Sequence, residues 1–230
     1  MALPKLNVQT YETILPSTEG VIKFRPFLVK EEKVLLTALE DTSPESMITA
    51  VKSIITNCVQ DQLDVDKLPL FDLEYIFLQL RGKSVGEIIE IGIKCPKCET
   101  SIPTSINIDD VKVIKPEGHN RKVMITDEVG IMLSYPVITT QGIEDADGMK
   151  IIKDCIDMIF TEEETHEKGS FTDEELDTFI ESMDTKQFTR IRDFYESMPK
   201  LKHEIKLDCP KCKEEGGQTV TLEGLNSFFG

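Results

Sequence analysis

One tetrapeptide, Cys-Pro-Lys-Cys, occurs twice in this chain, at positions 95–98 and again at 209–212. Two cysteines separated by two residues let a pair of thiolates converge on one tetrahedral cation, the spacing of structural zinc sites. Pro96 and Pro210 fix φ just after the first cysteine of each pair and favour a tight turn. Strand-like sequence leads into each copy, over 88–94 and 203–208, and a second such run leaves it, over 101–108 and 218–222. Strand, knuckle and returning strand therefore occur twice, as an internal repeat. Joined, the knuckles supply Cys95, Cys98, Cys209 and Cys212, a closed four-thiolate site for one structural Zn2+ per chain.

The spacing shapes the expected architecture. A compact ribbon separates its cysteine pairs by about 15–20 residues, whereas here residues 99–208 lie between them. The sequence predicts an α+β chain with a helical N-terminal part over 1–86. A zinc-ribbon-like β element follows, with halves at 87–108 and 201–230, and an inserted hairpin and helical subdomain occupies 109–200. Such a zinc closes a long loop and leaves no coordination position for catalysis.

Other readings of the same residues fit less well. Residues 1–20 lack the apolar core of a secretory signal, so an oxidising compartment and disulfides are not expected. A redox CxxC opens a helix in a βαβ unit, whereas both pairs here sit between short strands. Cys58 and Cys155 fall on apolar helical stripes and read as packing residues. His203 precedes Cys209 by six residues, but the two knuckles already fill a tetrahedral site, and His119 and His166 are scattered. The run Asp145-Ala146-Asp147-Gly148 lacks the register of a calcium loop, because Ile143 and Asp154 fall where its first and twelfth ligands belong. No nucleophile motif or glycine-rich phosphate loop is visible, so no catalytic residue is assigned and an enzyme is not expected.

Composition narrows the partners. With 42 acidic against 26 basic residues the formal charge is -16, a surface that repels phosphate backbones. Tryptophan is absent, which leaves few base-stacking platforms. Against this, Lys94, Lys97, Lys206, Lys211 and Lys213 cluster around the knuckles, so a zinc-ribbon module that binds nucleic acid or a polymerase is the alternative reading. No run approaches the 18 or so apolar residues of a membrane span.

Periodicity places the remaining elements. Residues 1–20 read as extended and irregular, and 21–27 as a strand. In 29–40, Val29, Val34, Leu35, Ala38 and Leu39 form an apolar stripe opposite Lys30 to Lys33. Ser43 and Pro44 begin a second helix, as N-cap and first helical residue. A third is predicted over 70–80, then strands near 111–114, 123–125 and 131–133, the last two as a hairpin. A helix is predicted over 148–160, a solvated acidic loop over 162–167, a helix from an N-cap at Thr172 to about 183, and another over 186–198. The chain closes on Leu225-Asn226-Ser227-Phe228-Phe229-Gly230, a tail that either packs inward or docks on a partner through Phe228 and Phe229.

The order of these features resembles the T4-type bacteriophage baseplate family, whose members act in building the central hub of a contractile tail. The resemblance runs through Phe24-Arg25-Pro26-Phe27, the helix from Val29, the run from Leu70 to Glu87, both knuckles and the Phe-Phe tail. It implies a structural or assembly role through contacts with other baseplate hub or tail proteins. It also implies a location in the host cytoplasm during assembly or in the virion baseplate. It carries no catalytic residues.

Overall fold

The structure is a computed structural model that describes residues 6–41, 43–137, 148–212 and 218–228. In chain order it forms strands β1 (Tyr11–Ile14) and β2 (Val21–Phe24), then helices α1 (Val29–Glu40), α2 (Pro44–Cys58) and α3 (Leu70–Val85). Strands β3 (Ile88–Lys94), β4 (Ser101–Asn107), β5 (Lys112–Ile114), β6 (Lys122–Met124) and β7 (Gly130–Leu133) follow. Helix α4 (Gly148–Asp154), strands β8 (Ile156–Phe160) and β9 (Thr165–Glu167), and helices α5 (Asp173–Glu181) and α6 (Thr185–Glu196) come next. Strands β10 (Lys200–Leu207) and β11 (Gln218–Glu223) end the series. This is an α+β chain in two compact units, Met1–Ile114 with Lys200–Gly230, and Lys115–Pro199.

In the first unit, α3 is the central element. Leu73, Ile76, Phe77 and Leu80 pack into a core with Phe24, Val51, Ile54, Ile55 and Cys58 from β2 and α2. Leu78 points into a second core, made with Ile89 and Ile93 of β3, Ile106 of β4, and Leu201, Leu207 and Leu222 of β10 and β11. A helix with apolar residues on two sides is buried on two sides, and α3 thereby carries both layers. Gly82 lets Ile108 approach closely, since an added Cβ would lie 3.3 Å from its Cδ1. Helix α2 starts as predicted: the Ser43 side chain accepts from the Ser46 N–H, and Pro44 occupies the first turn. The N-terminal segment holds more order than its sequence predicts, because β1 pairs antiparallel with β2, Tyr11 opposite Phe24.

Helix α1 has the predicted bounds and an unpredicted orientation. Glu31, expected on the solvated side, is 3% exposed, while Val29, Val34 and Leu39 of the predicted buried stripe are exposed. Arg25 is the cause. Its guanidinium donates to Glu31 Oε1 at 2.8 Å, and the Leu28 N–H donates to Oε2 at 2.9 Å. Burial works to raise the Glu31 carboxyl, but these bonds and Lys30 hold it down at about 2.

Phe228 belongs to the second core and is 0% exposed. The tail therefore packs inward at Phe228, and the expectation that this ring docks on a partner is corrected; Phe229 lies outside the described residues.

The second unit is a four-stranded antiparallel sheet, order β6-β7-β8-β9, with α5 and α6 contributing to its core. Here the helix predicted over 148–160 is corrected: α4 stops at Asp154 and β8 takes over at Ile156. The apolar residues of this stretch satisfy both a helical and an alternating pattern. Sheet pairing decides between them, with Ile156 opposite Leu133 and Ile159 opposite Ile131. Phe160 lies across Gly130, where a Cβ would meet its ring at 2.3 Å, so glycine is what lets that ring close over the strand. The acidic run predicted as a loop supplies β9, an exposed edge strand paired with β8. Helix α5 begins as predicted, with Thr172 and Glu175 exchanging cap hydrogen bonds.

A buried carboxylate held by an arginine makes stability depend on acid. Glu31 has its folded pKa below the ordinary carboxylate value, so its contribution is complete above about pH 4.5 and disappears as pH falls toward 2. We predict that Glu31→Gln lowers the urea unfolding free energy at pH 7 by about 2–3 kcal/mol. The gap to wild type should close as pH falls through that window; a gap that persists at the acid end would contradict the ion-pair account.

Candidate metal centre

Two hairpins build the site within the first unit. Strands β3 and β4 pair over their whole length from Ile88 opposite Asn107 to Lys94 opposite Ser101, which leaves 95–100 as the turn. Strands β10 and β11 pair from Lys202 opposite Glu223 to Leu207 opposite Gln218, with Cys209 and Cys212 just beyond β10. Alternation along the strands sends Ile89, Ile93, Ile106, Leu207 and Leu222 into the shared core. That core sets the hairpins together at the level where their cysteines emerge.

The first knuckle is tightly hydrogen-bonded. The Cys95 N–H donates to Thr100 O and the Glu99 N–H to Cys95 O, both at 2.9 Å. Glu99 closes the turn at φ 57°, in the left-handed region that non-glycine residues rarely adopt.

The four sulfurs converge across the hairpins. Cys95 Sγ lies 3.8 Å from Cys212 Sγ, and Cys98 Sγ lies 3.6 Å from Cys209 Sγ. All four ligand atoms fall within 4.8 Å of one another. A regular tetrahedron with metal–sulfur bonds of about 2.3 Å has sulfur–sulfur edges of about 3.8 Å. The two closest-paired separations match those edges, and they far exceed the roughly 2.05 Å of a disulfide. Cys95 and Cys209 are buried, while Cys98 and Cys212 are half-buried. The set can hold one metal ion.

The electrostatics suit a cation. The Thr100 hydroxyl, its oxygen 3.2 Å from Cys98 Sγ, and the Thr100 N–H favour the thiolate and pull the Cys98 thiol down. Hydrogen bonding to Cys98 pushes the Cys212 thiol up. Four sulfurs this close cannot all ionise without a positive charge between them. Gln218, the first residue of β11, places its side-chain oxygen 3.7 Å from Cys95 Sγ. Neither Thr100 nor Gln218 was singled out by sequence. Only their position beside a knuckle and at the start of a returning strand marks them.

The other candidate residues lie elsewhere. His203 stands opposite Leu222 in β10, four residues before the end of the strand, and is not in the sulfur cluster. Cys58 is buried in the first core, and burial pushes its thiol up to about 11; Cys155 is buried and also raised. His166 is exposed, 3.4 Å from Glu164. Asp145 and Asp147 of the rejected calcium loop, and Lys213, lie outside the described residues.

In the second unit, His119 Nδ1 is 3.0 Å from Ser197 Oγ and its Nε2 is 3.0 Å from Tyr135 Oη. The Ser197 hydroxyl lies 2.7 Å from Asp193 O, to which it donates, so it accepts from the imidazole. That commitment orients a packing histidine and leaves the serine without the geometry of an activated nucleophile. Burial, with Lys115 nearby, lowers the His119 pKa and favours the neutral ring this arrangement needs. Among the described residues no helix is long and apolar enough to cross a membrane.

Comparison with known proteins gives two findings. The model of the family described as T4 bacteriophage base plate protein matches residues 8–230. The baseplate hub assembly protein gp26 of Enterobacteria phage T4 is 26% identical over 210 residues, spanning 91% of this chain and 92% of the relative. No solved structure matches the chain.

Because each knuckle supplies half of the cluster, loss of any one sulfur should empty it. We predict about one metal ion per purified chain by elemental analysis, and none in Cys98→Ser or Cys209→Ser. Two ions per chain, or retention in either variant, would refute a shared site.

Proposed function

The chain belongs to the T4 bacteriophage base plate protein family, and from that premise we propose that it helps assemble the baseplate hub through protein–protein contacts, stapled by a structural zinc ion. The observation that carries this reading is the meeting of Cys95 and Cys98 with Cys209 and Cys212 in a chain so similar along its length to a hub assembly protein. In this reading residues 87–108 and 201–230 are the halves of one ribbon-like element, and 109–200 is inserted between them.

Zinc suits the donor set: four thiolates, tetrahedral spacing and no open position. Bound there, it would supply charge neutralisation and a cross-link, not a reactive water. The protein's own residues do the rest: the shared core positions the hairpins, and the Thr100 hydroxyl and N–H orient the Cys98 sulfur. A rigid element of this kind favours one docking geometry, which is what ordered assembly requires. In this reading the role is non-enzymatic, exercised in the host cytoplasm during assembly or in the virion baseplate.

The alternative, a nucleic-acid or polymerase-binding ribbon, draws on Lys94, Lys97, Lys206 and Lys211, all exposed beside the knuckles. The formal charge of -16 weighs against it.

Quantitative mass spectrometry of tail intermediates from infected cells tests the assignment. The chain should be recovered with hub-containing intermediates, and a phage carrying Cys209→Ser should accumulate fewer completed baseplates. Absence from those intermediates, together with salt-sensitive DNA binding, would move the assignment to the alternative.

A further inference from the structure

Helix α1 shows the solvent what most helices bury. Its only buried residues are Glu31 and Ala38, whereas Val29, Leu36 and Leu39 are 66%, 54% and 55% exposed. Scattered exposed leucines are ordinary; an apolar set in one register is not. The helix is held along the adjoining face, by the Arg25–Glu31 pair and by Leu35, which flanks Leu39 and packs on the first core. Its outward face is thus left over by the fold and does no work within it.

That face has a register. Val29, Glu32, Leu36 and Leu39 follow the alternating three-and-four spacing of a coiled-coil seam, with Val29 and Leu36 at one core position and Glu32 and Leu39 at the other. Glu32, also exposed, is therefore an acid inside an otherwise apolar stripe. A polar residue at such a position selects register and partner.

We propose that this seam receives a helix of a different protein, apolar at its own core positions and carrying lysine or arginine where it meets Glu32. The proposal adds a partner class to the assembly reading on which it rests. Charge complementarity commits the occupant. A second copy of this chain packed in parallel would set Glu32 against Glu32; packed antiparallel, it would bury Glu32 against Leu36. Both leave a carboxylate without a counter-charge, and a net charge of -16 opposes self-association further. Lys30 is engaged with Glu31 at 3.2 Å, and Lys33 and Glu40 alternate along one flank of the seam. Glu32 is thus the residue that sets the sign of the partner's central contact.

The test uses the full-length protein and two synthetic helical peptides of about three heptads, leucine at the core positions except for one central residue, lysine in the first and glutamate in the second. Fluorescence anisotropy should show the lysine peptide binding at least about tenfold more tightly. Leu36→Asp, at an exposed site that leaves the core untouched, should weaken that binding about tenfold or more, although it makes the protein more acidic. Non-specific attraction of a cationic peptide would instead strengthen, so the direction of change separates the two. Glu32→Lys should invert the preference between peptides. Equal binding of both peptides, undiminished binding by Leu36→Asp, or a homodimer in light scattering that Leu36→Asp dissolves would each overturn the proposal. None of these outcomes depends on phage assembly, so failure here leaves the hub assignment standing, and failure of that assignment leaves this face to be judged by its own assay.

Discussion

The second core of the first unit and the sulfur cluster at its end depend on two hairpins, far apart in sequence, sharing one apolar layer. Closing a loop of roughly a hundred residues costs about 4 kcal/mol in chain entropy, and something must offset it. Leu78 from α3, Ile89, Ile93 and Ile106 from one hairpin, Leu207 and Leu222 from the other, and Phe228 from the tail bury one another to do so. The sulfur cluster sits at the end of this layer, where β3 and β10 both run out. A metal there would lock an arrangement that the shared core supports, with Cys95 and Cys209 themselves buried beside it. The assembly role proposed above would draw on the same economy, with rigidity placed where two distant segments must act as one.

Helix α1 shows the opposite use of the same physics. Glu31 is inside while Leu36 and Leu39 are outside, because a single arginine from the end of β2 claims Glu31. The ion pair fixes the helix on the fold with little apolar burial and so frees an apolar face. For a protein with the assembly role proposed above, a face of this kind is a resource, provided that something discourages self-pairing; Glu32 and the overall acidity do that.

The sequence was most legible where local chemistry is decisive. Ser43 with Pro44, and Thr172 as an N-cap, marked helix starts that the structure retains. The alternation on either side of each Cys-Pro-Lys-Cys marked both hairpins and, through them, the four sulfurs that meet. Reading failed where a distant partner chose between two local options. Residues 156–160 fit helix or strand until β7 and β9 are known to flank them. The α1 stripe pointed inward until Arg25 was placed, and the Phe228 ring had no evident home until the core it fills existed. Thr100 and Gln218 were invisible as site residues because their role comes from proximity to sulfur and not from any motif.

X-ray absorption spectroscopy at the zinc edge, on protein purified without added metal, tests the central claim most directly. The account predicts a single shell of four sulfur neighbours at about 2.3 Å, with no nitrogen or oxygen ligand. A mixed shell with nitrogen or oxygen, a sulfur number near two, or protein that folds and holds no metal would contradict it.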